Sequence, residues 1–190
     1  MSIFEFVLTG FTIVLALVIT RLLGGLRWAL DPDRVYWVHA VLVISMLALT
    51  SLIWWGLWYS RDTAWSYLAF AYNLLIGPGI LYFTATVLVP DNPRRIRSWR
   101  EHYYRYHQMF YGAYAVMDIL LFMGSLLFAE TPLWHFTRVL QGATLLLCIV
   151  GIFSRRHWVH GTLAVLLAAM IVIAMVYSEM ASQAQPLTDG

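Results

Sequence analysis

The sharpest chemical feature of the chain is a carboxylate set among apolar residues. Asp118 stands in YAVMDILLFMGSLLF, at the middle of a long hydrophobic run. In a bilayer an aspartate at that depth costs roughly 2.5–3.5 kcal/mol on the insertion scale, and it must face a bundle interior or a wet cavity. Such a group can carry a proton or coordinate a cation. It can equally serve structurally, by bonding a neighbouring helix or pairing with Arg138. The preceding run is interrupted by Gly77-Pro78-Gly79. Pro78 has no amide hydrogen, so the Leu74 carbonyl loses its α-helical donor, and the flanking glycines accept backbone angles that other residues resist. Carbonyls freed at membrane depth are tolerated only within protein or along a water-filled cavity. The spacing therefore predicts an unwound, coordinating segment or a plain proline kink, with Asn73 one turn away. Gln141 and Thr144 in the fifth run and Ser45, Thr50 and Ser51 in the second lie at similar depth. Arg138 sits about 8 Å outward of its run's midpoint at 1.5 Å per residue. Asp118, Asn73, Gly77, Pro78, Gly79, Gln141, Thr144 and Arg138 are the expected transport or ion site. A set of purely structural interhelical hydrogen bonds would leave the same pattern.

Two further groups gather toward one end. His39, His107 and His160 open the second, fourth and sixth runs, with His102 and His157 nearby. Facing histidines from separate helices are the ligation pattern of a b-type haem, although no helix carries a metal-type spacing. Ordinary interfacial histidines account for them as well. The segment PDNPRRIRSWREHYYRYHQM alternates Arg94, Arg95, Arg97, Arg100 and Arg105 with aromatics that include Trp99. This is the composition of an interfacial helix, expected over about 93–106, lying among anionic headgroups or gripping a partner subunit. Asp91 or Asn92 would cap it and Pro93 would open it. Arginine among aromatics can also read nucleic acid. Beside several membrane spans, no nucleic-acid partner is expected.

The elements that must position these groups follow from composition. Of 190 residues, 61 % are hydrophobic and 12 % charged, and mean hydropathy is +0.71, far from a soluble domain. A hydrocarbon core of roughly 30 Å needs about 20 helical residues. Runs at about 3–25, 36–58, 65–89, 108–129, 134–153 and 158–177 meet that length. An all-α, six-transmembrane-helix bundle forming a single domain over 1–180 is expected, followed by a polar tail over 181–190. All twelve basic residues are arginines, and ten of them fall in or beside the first, third and fifth loops. The positive-inside bias puts those loops in the cytoplasm and both termini on the outer face. The first residues carry Glu5 and no positive charge, unlike a cleavable signal. A bacterial inner membrane is the simplest home for this topology.

Thr12, Ala16, Thr20 and Gly24 make an i, i+4 stripe of small residues, suited to close packing within the bundle or between copies in a homo-oligomer. Cys148 is the sole cysteine, which excludes an internal disulfide and cysteine-rich metal sites. No phosphate-binding loop, zinc signature or nucleophile–histidine pair at common depth is present, so an enzyme is not indicated. Permeation or transport of an ion, proton or small solute is the leading expectation. An accessory subunit of a larger membrane complex comes second, and a haem-b redox protein third.

Overall fold

A computed structural model describes residues 2–58, 61, 65–127 and 135–184. Parts of the expected fourth and fifth spans (128, 129 and 134) and residues 185–190 of the tail lie outside them. The described residues form helices joined by turns, without strands. The helices are α1 (Ile3–Ala29), α2 (Trp37–Leu57), α3 (Tyr67–Ala71), α4 (Gly77–Leu88), α5 (Trp99–Leu127), α6 (Phe136–Phe153) and α7 (His157–Ala184). A π turn, Tyr72–Ile76, joins α3 to α4, and a 3-10 turn, Pro93–Arg95, precedes α5. Among the described residues, five stretches are long and apolar enough to cross a membrane: Ile3–Ala29, Trp37–Leu57, Tyr67–Arg95, Phe136–Phe153 and His157–Gln183. This is the makeup of an integral membrane protein. α5 is as long as these, but carries Arg100, Glu101, Arg105 and Asp118.

The long helices close into a ring. Each packs on two neighbours in the order α1, α2, α7, α6, α5, α4 and back to α1. α1 begins in a capping box, with Glu5 N–H donating to Ser2 Oγ (3.1 Å) and Ser2 N–H to Glu5 Oε2 (2.7 Å). Such a cap is worth about 0.5–2 kcal/mol. Its buried seam is Val7, Phe11, Leu15, Val18, Leu22, Gly25 and Ala29, spaced three and four apart as one helical face requires. The small-residue stripe is not part of that seam. Thr12, Ala16, Thr20 and Gly24 are all exposed, and a Cβ added at Gly24 would meet nothing within 4 Å. Close approach to the third span uses other glycines. A Cβ at Gly10 would sit 2.4 Å from Leu74 Cδ1, and one at Gly25 2.3 Å from Val89 Cγ1.

The first, third and fifth loops meet at one end. Arg21 donates to the Val89 carbonyl (3.0 Å) and pairs with Asp91. Arg34 grips Asp31 through Nε (2.9 Å) and reaches the carbonyls of Arg94 (3.3 Å) and Ile96 (3.0 Å). Tyr36 bonds His157 across to the fifth loop (3.1 Å). At the opposite end Phe4 packs on Trp58 and Trp65, and Tyr177 bonds His135 (3.3 Å).

Two boundaries differ from expectation. The interfacial helix does not begin at Pro93: only a 3-10 turn forms there, Ile96 is extended, and α5 starts at Trp99. Arg34 holds the Ile96 carbonyl, and Ser98 caps the real start by accepting from Glu101 N–H (3.3 Å). From there α5 runs unbroken to Leu127, covering the described part of the expected fourth span. α7 continues past Tyr177 to Ala184, because no glycine or proline interrupts it and Gln183 bonds Glu179 one turn back (2.8 Å).

Candidate functional site

Proline and the residues before it shape the centre of the ring. The third span does not unwind at Gly77-Pro78-Gly79. It takes one extra residue into a π turn instead, in which Gly77 N–H donates to the Tyr72 carbonyl five residues back. Pro78 then opens α4, where a missing amide does least harm. With Gly77 committed to Tyr72 and Pro78 lacking a hydrogen, the Asn73 carbonyl has neither an α-type nor a π-type donor. π turns of this kind recur at functional sites.

That turn borders a cavity of about 420 Å³ to which all six long helical segments contribute, from Phe11 of α1 to Met170 of α7. Its polar lining includes Asn73, Asp118, Gln141 and Thr144, beside the hydroxyl-bearing Tyr72, Tyr114 and Thr137. Asp118 is 7 % exposed. Gln141 Oε1 is buried without a hydrogen-bond partner among the described residues. Other groups have their hydrogens committed to main-chain carbonyls: Asn73 Nδ2 to Ala69 (2.8 Å), Thr144 Oγ1 to Leu140 (3.0 Å) and the Tyr72 hydroxyl to Leu120. Gly124 makes room for the Tyr72 ring, whose Cε1 would lie 2.9 Å from an added Cβ.

Of the expected site, Asn73, Gly77, Asp118, Gln141 and Thr144 come together here. Pro78 is buried behind the wall and Gly79 faces out. Arg138 is buried with its guanidinium over the Phe122 ring at 5.0 Å. Among the described residues no ion pair joins it to Asp118. Ser45 and Thr50 are buried in α2 outside the lining, and Thr50 bonds its own helix at Met46 (2.7 Å). Tyr114, which sequence reasoning passed over, had a visible signal: it stands one turn before Asp118 on the same face. Trp99, Tyr103, His107, Tyr111, Tyr114 and Asp118, four or three residues apart, are all buried. They form one seam about 28 Å long at 1.5 Å per residue.

The arginine-rich end of that seam holds the histidines. His160 Nε2–H donates to the Ser154 carbonyl (3.0 Å), which can only accept. In the neutral ring Nδ1 then accepts from the Tyr103 hydroxyl (2.8 Å), whose oxygen lies 3.1 Å from that of Tyr111. His107 meets His160 edge to face at 5.1 Å between centroids. His39 is separate, stacked on Trp99 at 4.6 Å, with both ring nitrogens buried and unpartnered among the described residues. The set does not fit a haem. The two adjacent rings touch with no slot for a porphyrin between them, both nitrogens of His160 are engaged, and His39 belongs to another cluster. Among the described residues no three His, Cys, Asp or Glu side chains gather to hold a metal ion.

Trp99 is not on the lipid- or partner-facing surface expected of it. It is fully buried and its Nε1–H donates to the Trp28 carbonyl (2.6 Å). Arg94, Arg95, Arg97, Arg100 and Arg105 are exposed. Arg94 lies over Trp28 at 5.5 Å, and Arg105 pairs with Glu101 at 3.1 Å.

Compared with known protein families, curated proteins and solved structures, the chain matches none.

Proposed function

We propose that the protein spans its membrane six times, α5 included, and transports or conducts a cation or small solute through the central cavity, with Asp118 as the binding group. The observation that supports this reading is convergence. Asn73, Asp118, Gln141 and Thr144 come from three separate segments of the chain and line one cavity inside the ring. Interhelical structural bonding would consume such groups, yet Gln141 Oε1 is unpartnered and Asp118 opens onto the cavity. The low hydropathy of α5 is then the signature of a helix whose polar seam faces the interior. The positive-inside bias places the arginine-rich end in the cytoplasm, among anionic headgroups, with both termini opposite. A bacterial inner membrane is the proposed location.

The test is flux. In proteoliposomes on a solid-supported membrane, proton, inorganic-cation and organic-cation gradients are applied to wild type and Asp118→Asn. Wild type should carry a current or uptake that Asp118→Asn abolishes, while the variant elutes and melts as a folded protein. Unchanged flux in Asp118→Asn refutes the assignment.

A second reading rests on the exposed guanidiniums of Arg94, Arg95, Arg97, Arg100 and Arg105, which suit an acidic partner subunit or anionic lipid. Neutralising Arg94, Arg95 and Arg97 together should release that partner, and retention by the triple variant would count against it.

A further inference from the structure

The balance of donors and acceptors around the cavity narrows what it holds, on the reading that the cavity is the binding site. Asp118 brings two carboxyl oxygens. Gln141 Oε1 is an unpartnered acceptor. Asn73 has its Oδ1 left over once Nδ2 is spent on Ala69, and its main-chain carbonyl is freed by the π turn. Thr144 gives its hydrogen to Leu140, so its remaining capacity is to accept. Against these, the Tyr114 hydroxyl and the Gln141 amide hydrogens are the donors still available. The wall therefore holds a surplus of acceptors, a carboxyl group among them. The rest of it is apolar and aromatic: leucines and isoleucines beside Phe11, Tyr72 and Tyr114. A volume of about 420 Å³ falls in the roughly 300–1,000 Å³ range of small-molecule pockets. A bare inorganic cation would leave most of that apolar space empty.

We infer that the ligand of this cavity is a lipophilic organic ammonium ion: an N–H-bearing cationic head held by Asp118, Gln141 and Asn73, and an apolar or aromatic body against the leucine and phenylalanine wall. The ammonium supplies the donors that the wall lacks. Its charge is balanced by the carboxylate, and the aromatic side chains Phe11, Tyr72 and Tyr114 in the lining suit a cation nearby.

The experiment is equilibrium binding of radiolabelled 2-phenylethylamine to the full-length protein in nanodiscs, read by scintillation proximity so that partition into lipid appears only as a non-saturable background. Wild type should bind saturably. Asp118→Asn should weaken binding about 10- to 150-fold, the range of a charge-assisted hydrogen bond, and Gln141→Leu about 5-fold. Unlabelled benzyltrimethylammonium, charged but without an N–H, should compete about 5-fold less well than the amine. Neutral 2-phenylethanol should not compete measurably. Should Asp118→Asn fail to fold, Gln141→Leu carries the test. Absence of saturable binding overturns the inference. So does 2-phenylethanol competing as well as the amine, or retention of wild-type affinity in the folded variants. Inorganic-cation flux that depends on Asp118 without amine binding overturns this inference and leaves transport standing. Amine binding without any flux does the reverse.

Discussion

Two glycines of α6 offer a matched test of the packing. A Cβ added at Gly151 would lie 2.6 Å from Tyr111 Cδ2 and Cγ, whereas one at Gly142 would meet nothing within 4 Å. The Tyr111 ring cannot swing aside cheaply: it is fully buried and its hydroxyl is tied to Tyr103 at 3.1 Å. Gly151→Ala must therefore push the Tyr111 ring from its place, straining the α5–α6 contact and breaking that bond. Overpacking costs about 1–3 kcal/mol and loss of the bond about 0.5–1.5 kcal/mol, against a helix-propensity gain of about 1 kcal/mol. The net expectation is a destabilisation of about 0.5–3.5 kcal/mol. Gly142→Ala keeps only the gain and should be neutral or stabilise by up to about 1 kcal/mol. Both variants are unfolded thermally and with denaturant in the same detergent, followed by tryptophan fluorescence. Equal stability of the two would refute the claim that α5 and α6 are in backbone-close contact through Tyr111.

Further outcomes follow from the same contacts. Trp99→Phe keeps the stack on His39 but loses the bond to the Trp28 carbonyl, and should cost about 0.5–1.5 kcal/mol. Trp99→Ala should cost about 3–5 kcal/mol, both read by denaturant unfolding. Pro78→Ala restores an amide hydrogen to the Asn73 and Leu74 carbonyls. Hydrogen exchange at residues 73–79 should slow, and amine affinity should fall as the Asn73 carbonyl is taken up. The Arg34 guanidinium beside Asp31 holds its carboxyl below the ordinary 3.8. Because the folded value is depressed, the stability it lends is complete above about pH 4 and is lost as pH falls through the lowered value. Asp31→Asn should flatten the acid limb of a stability–pH profile, while a profile unchanged from wild type would break that link.

Apolar run length alone carried the helical architecture, because a bilayer core imposes a minimum length that few soluble helices reach. Asp118 was legible for a related reason: an aspartate is expensive in lipid, so its place at mid-run demanded an inward face, and it is buried. What failed to show was the facing of the apolar and small residues. The stripe Thr12, Ala16, Thr20, Gly24 and the seam Val7, Phe11, Leu15 are both regular at helical spacing, and only the neighbours decide which is inside. Trp99 among arginines reads as an interfacial ring, yet its i, i+4 continuation through Tyr103, His107 and Tyr111 marks a buried seam. The π turn was hidden because Pro78 can be accommodated by a kink, by unwinding or by one extra residue, and the sequence is the same for all three.

Arg21 carries a consequence for how the molecule is made. Its carbonyl and carboxylate partners, at Val89 and Asp91, lie 68 and 70 residues further along the chain. At about 5–20 residues per second, roughly 3–14 s of synthesis separate the arginine from its partners. Through that interval the Arg21 guanidinium has neither of these two partners to bond. Gly25 likewise awaits Val89. The first helix is thus made early and docked late. The ring itself shuts only when α7 lays its face against α2.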